Sequence, residues 1–87
     1  MERRNDLEIT VEILKIAERG AKKSHVAFEA KLNYKLLKHY LGRLEKQGLI
    51  ANDVNPGNNV KTTEKGQLFV QQYRNLLQIV GQNEPNG

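Results

Sequence analysis

The sequence predicts a mainly α fold with a small β-hairpin, a winged helix-turn-helix carrying an extra C-terminal helix. Three observations predict it. Residues 33–50, NYKLLKHYLGRLEKQGLI, read as a capped amphipathic helix that stops at a glycine and runs into a short apolar strand. The link Lys31-Leu32-Asn33 joins that helix to a shorter one before it and has the length of a helix-turn-helix turn. Beyond the strand, Asn55-Pro56-Gly57-Asn58-Asn59 is dense turn chemistry followed by a second short strand, as in a β-wing.

Along the chain, the first helix is predicted over residues 7–19, where Ile9, Ile13, Leu14, Ile16 and Ala17 recur at helical spacing. Asp6 or Asn5 can cap it, Glu8 and Glu12 lie near its positive end, and Gly20 stops it. Ser24 is the expected cap of a short second helix over residues 25–31, whose apolar Val26, Ala27, Phe28 and Ala30 are expected to be buried. The third helix, residues 34–47, is the most strongly patterned. Leu37, Leu41 and Leu44 fall at i, i+4 and i+7 and make one apolar stripe with Leu36 and Tyr40, while Lys35, Lys38, His39, Gly42 and Arg43 occupy the other face. Asn33 is a good N-cap for it, and Gly48 can take the left-handed conformation that ends it.

Leu49 to Ala51 and Val60 to Thr62 read as the two strands of the hairpin, too short to be stable without helices beneath it. Thr63 caps a last helix over residues 64–80, bearing Leu68, Phe69, Val70, Tyr73, Leu76, Leu77 and Val80. The chain thus divides into a winged helix-turn-helix domain (residues 1–63), a C-terminal dimerisation helix packed on it (64–80) and a disordered tail (81–87).

At 87 residues the chain holds one domain, near the lower end of what forms a self-sufficient core, so a dimer would help it. It contains no Cys, which excludes a disulfide framework and a thiolate zinc site, and nothing calls for an oxidising compartment. Apolar runs stop at two or three residues, far short of the roughly 20 that span a bilayer. The start MERRNDLE lacks the hydrophobic stretch of a secretory signal. The expectation is a cytoplasmic, nucleoid-associated protein with no metal, cofactor or membrane partner. Two histidines far apart, and no phosphate loop, HExxH or nucleophile elbow, argue against an enzyme.

The net charge of +4 is modest, but it is concentrated. Between Arg19 and Lys46 eight basic residues face two acidic ones, a balance of +6, whereas the other six basic and eight acidic residues sum to −2. A local field of that sign, centred on the helix-turn-helix, guides an anionic partner.

The series LEIxxxILxxAxxGAKKSHVAFEAKLNYKLLKHYLGRLEKQGLI, followed by TTEKGQLFVQQYRNLL, resembles the small archaeal winged-helix regulators and is similar to the Sso10a family of archaeal DNA-binding proteins. The resemblance covers residues 7–77. It is most specific at Gly20-Ala21-Lys22-Lys23-Ser24-His25, Asn33-Tyr34-Lys35-Leu36-Leu37, Gly48-Leu49-Ile50 and Thr63-Glu64-Lys65-Gly66. It implies a winged helix whose C-terminal helix pairs with its twin in an antiparallel coiled coil, giving a dimer that binds double-stranded DNA.

A helix in the major groove presents its N-terminal half to base edges while surrounding cations neutralise phosphates. On that basis Tyr34, Lys35, Lys38 and His39 are assigned to the groove, with the lysines as donors to guanine and His39 to a base or phosphate, and Asn33, at the helix start, is counted with the DNA-binding residues. Lys22, Lys23 and Ser24 stand at the start of the second helix, where a phosphate is favoured. Arg43 can reach the backbone, and Asn58, Asn59 and Lys61 can touch the duplex from the wing. Plainer readings stand beside these: a solvated lysine face, Tyr34 packed under the turn, His25 in the cap region as a structural residue, the wing segment as only a turn. Phe69, Tyr73, Leu76 and Val80 follow alternating steps of four and three, the spacing of a coiled-coil seam, and with Leu77 form the expected homodimer interface. Two other uses of the fold stay open, an architectural chromatin protein with little sequence specificity and a protein-protein docking module. The wing turn, without Arg or Lys, favours the latter.

Overall fold

A computed structural model describes residues 4–53 and 59–81. Helix α1 (Asp6–Ile16) opens on a capping box in which the Asn5 side chain accepts from Glu8 N–H at 2.8 Å and the Glu8 carboxylate accepts from Asn5 N–H at 2.9 Å. Asn5, not Asp6, is therefore the cap. The helix ends at Ile16, short of Arg19, and Gly20 at φ +96 turns the chain into a strand. That strand is the main addition to the predicted architecture. β1 (Ala21–Lys22) pairs antiparallel with β3 (Asn59–Thr62), which also pairs with β2 (Ile50–Asp53), so the hairpin becomes a three-stranded sheet in the order β1-β3-β2.

Because Ala21 and Lys22 are held against Val60 and Asn59, α2 (Lys23–Ala30) starts directly at the end of β1. Lys22 occupies the cap position with no side-chain bond, and Ser24 lies inside the first turn instead of capping it. Lys31 in the left-handed region (φ 58) ends α2, and Leu32 N–H returns to the Ala27 carbonyl at 2.9 Å to close the turn before α3 (Tyr34–Lys46). The expected burial of Phe28 is also corrected: the ring is 77% exposed. Buried Val26 and Ala30 are one turn apart and define the inner face of α2, and a residue midway between them points the other way.

The core draws Ile9, Ile13 and Leu14 from α1, Val26 and Ala30 from α2, and Leu37, Tyr40, Leu41 and Leu44 from α3, closed by Leu49, Ile50 and Val60. Helix α4 (Glu64–Leu76) adds Val70 to this core, with Phe69 and Tyr73 packed at its margin. The start of α4 is locked to the end of α3. Thr63 Oγ1 accepts from Gly66 N–H at 3.0 Å and donates to the Gly48 carbonyl at 2.6 Å, while Thr63 N–H donates to the Leu49 carbonyl at 3.0 Å and Lys65 Nζ to that of Gln47 at 2.8 Å. The carbonyls of Gln47, Gly48 and Leu49, at and just past the end of α3, are thereby satisfied by the start of the next helix. α4 stops at Leu76, and Leu77–Gly81 form a π-helical turn. Its i→i+5 bonding changes the angular step, so Val80 leaves the phase that a regular helix to residue 80 assigns it. The expected disordered tail beyond Gly81 and the wing residue Asn58 lie outside the described residues.

Candidate nucleic-acid interface

Helix α3 divides sharply. Leu37, Tyr40, Leu41 and Leu44 are almost completely buried, and Lys35, Lys38, His39, Gly42 and Lys46 are exposed on the opposite side. Asn33 sets the start of this face, its side chain accepting from Leu36 N–H at 2.8 Å, so it acts as the cap that aims the helix. Gly48, at φ +75, ends it as expected. Tyr34 does not pack under the turn. It is 49% exposed, and Lys38 Nζ stands 5.8 Å from the centre of its ring, a cation–π arrangement that holds the ammonium at the surface. The His39 ring meets Tyr40 edge-on at 5.7 Å and stays exposed.

Arg43 is positioned differently from the lysines. Its guanidinium lies over the Tyr40 ring at 5.2 Å and reaches Asp6 at 3.5 Å, while Tyr40 donates its hydroxyl to the other Asp6 oxygen at 2.6 Å. This cluster ties the second half of α3 to the first turn of α1. The Tyr40 hydrogen bond, assisted by the positive charge of Arg43, holds the Asp6 carboxyl below the usual aspartate range. A carboxylate so lowered contributes stability above the unfolded-state pKa, and the contribution disappears as pH falls through the folded-state value. Asp6→Asn is therefore expected to melt below wild type near neutral pH and to converge with it in strong acid. Thermal denaturation across pH checks this, and a gap that persists unchanged into strong acid contradicts it.

The sheet supplies a second basic group. The pairing of Lys22 with Asn59 joins the corner before α2 to the root of the wing, an approach that local sequence does not reveal. Lys22 and Ser24 are exposed and Lys23 is half-buried. On β3, Val60 and Thr62 turn inward and Lys61 outward, and Asn59 is half-buried with its Oδ1 in the interior, unbonded among the described residues. The exposed α3 face and this corner each group several basic side chains. Among the described residues no cluster of three or more His, Asp or Glu side chains is placed to hold a metal ion, and no helix is long and apolar enough to cross a membrane.

A helix-turn-helix followed by a paired wing invites comparison with known families. The family model described as Winged helix-turn-helix matches residues 3–80. The chain is a member of the winged helix-turn-helix family. Among solved structures, this winged helix-turn-helix protein is similar to Sso10a-2, a DNA-binding protein from Sulfolobus solfataricus, with 27% identity and a TM-score of 0.77 over 87% of this chain and 81% of that one. The same fold occurs in Sco5413, a MarR family transcriptional regulator from Streptomyces coelicolor (22% identity, TM-score 0.73, 80% of this chain and 53% of that one). It also occurs in a variant of S. aureus MepR (19% identity, TM-score 0.75, 93% and 63%). This winged helix-turn-helix protein thus spans between half and two thirds of the length of those two chains. No curated protein sequence matches it.

Proposed function

We propose that the protein is a transcriptional regulator that binds double-stranded DNA as a homodimer, with α3 as its recognition helix. The observation that carries the reading is the exposed row Lys35, Lys38, His39 and Lys46 on the side of α3 opposite the core. In this reading Tyr34, Lys35, Lys38 and His39 enter the major groove, and Asn33 orients them. Lys22, Lys23 and Ser24 take a phosphate at the start of α2, and Lys61, outward on β3, approaches from the wing, whereas the inward Oδ1 of Asn59 removes that residue's side-chain carbonyl from the expected contact. Arg43, committed in part to Asp6, is left as a peripheral phosphate contact. The likeness to Sso10a-2, itself a DNA-binding protein, supports the duplex as partner and a place on the nucleoid. Mixing the protein with a labelled mixed-sequence duplex tests the assignment, and absence of binding at low salt contradicts it.

The homodimer rests on the C-terminal helix. Phe69 and Tyr73 are partly covered by the domain and, with Leu7 and Leu76, line a shallow apolar groove. Leu76, at 50% exposure, and the adjacent Leu77, at 41%, leave an apolar edge that a twin helix would bury, while Val80, 61% exposed, lies on the π-helical turn out of phase with that seam. Two recognition helices would then address half-sites about one helical turn apart, or a multiple of it. Leu76→Asp is expected to yield monomers in sedimentation, whereas a dimer that survives it places the interface elsewhere. Tyr73→Asp has the same expected effect on assembly and, because Tyr73 also packs on the core, lowers the melting temperature as well.

A further inference from the structure

Gly42 lies nine residues into the thirteen-residue α3, where glycine is the poorest helix former apart from proline. Glycines in helices are usually explained by a left-handed backbone or by a close neighbour. Neither holds here. Its φ is not positive, and a Cβ built on it meets nothing within 4 Å. The residue is exposed, on the face opposite the buried leucines, and its neighbours one turn away are Lys38 and His39 on one side and exposed Lys46 with half-buried Glu45 on the other. A helical side chain covers the turn on its N-terminal side. Its absence at Gly42 therefore leaves bare backbone between cations, a shallow notch along the outward face of α3.

We propose that this notch is a contact surface for the sugar–phosphate backbone of the duplex and sets how closely α3 approaches it. The inference rests on the DNA-binding reading above and deepens it. Lys35 lies two turns before Gly42, so when the first turns of α3 face base edges, residue 42 faces the wall of the groove, where the sugar–phosphate ridge passes. Glycine there exchanges helix stability for approach.

The test compares wild type, Gly42→Ala and Gly42→Leu in thermal melting and in titration of a labelled duplex. None of these changes alters a charge, so a loss of affinity cannot come from a lost cation. Alanine is expected to raise the melting temperature by about 4–8 °C, as relief of an exposed helical glycine does in a domain of this size. It nevertheless weakens duplex binding a few-fold, and leucine weakens it by about tenfold or more. A Gly42→Leu protein that binds as tightly as wild type overturns the notch while leaving duplex binding intact. If wild type itself does not bind, the DNA reading has failed and the notch fails with it.

Discussion

Substituting Lys35 and Lys38 together by alanine is expected to lower duplex affinity about 100-fold, roughly tenfold for each cation brought against base or phosphate. The fold should survive. Both side chains are exposed, alanine is the best helix former, and neither residue belongs to the hydrophobic core. The substitution does remove the cation–π contact of Lys38 with Tyr34 at the surface. The salt dependence of any residual binding should also flatten, by about 0.9 in log-log slope for each phosphate no longer neutralised. Anisotropy titrations of the double variant beside wild type, with circular dichroism as a check on folding, measure all three quantities. A folded variant with unchanged affinity removes α3 as the recognition element.

The second large effect concerns stability. Gly66 is buried in the first turn of α4, and a Cβ there falls 2.2 Å from the Leu49 carbonyl oxygen and 2.5 Å from Thr62 Cγ2. No flexible side-chain tip is available to yield, because the nearest atom is backbone. Gly66→Ala must push α4 away from the α3–β2 corner and so strain the bonds from Thr63 N–H to Leu49 and from Lys65 to Gln47. The expected cost is about 3 kcal/mol, the upper range for overpacking, which lowers the melting temperature by more than about 10 °C in a domain of this size. A Gly66→Ala protein that melts with wild type would show that the helix does not approach the corner so closely. The same substitution at Gly42 is expected to move the melting temperature upward, because there the added methyl meets open space.

Local chemistry made much of the fold legible in the sequence. Asn33, Gly48 and Thr63 are caps and stops whose roles depend on neighbours a few residues away, and each acts as its position predicts. The apolar stripe of α3 is equally local, since helical spacing alone decides which side is buried. Features that depend on distant partners were hidden. Ala21-Lys22 is too short to announce a strand and becomes one only beside Val60 and Asn59. That pairing moves the start of α2 and leaves Ser24 without its expected capping role. Phe28 misleads because a single exposed aromatic on an eight-residue helix has the same local pattern as a core residue. The Asp6–Tyr40–Arg43 cluster joins positions 34 and 37 residues apart, and no periodicity carries that information. As to the interface, the exposure of Lys35, Lys38 and His39 follows from the helix pattern. The diversion of Arg43 toward α1 and the joining of Lys22 to the wing root do not.

On the proposed reading, the outward face of α3 and the corner beside it neutralise duplex phosphates. The most direct test of that reading is the anisotropy of a labelled mixed-sequence duplex titrated with the wild-type protein over a series of salt concentrations. The expected result is binding that weakens linearly in log-log form, with a slope equivalent to about four to eight phosphates at roughly −0.9 each. No binding at low salt would contradict it and leave the basic face to an acidic protein partner.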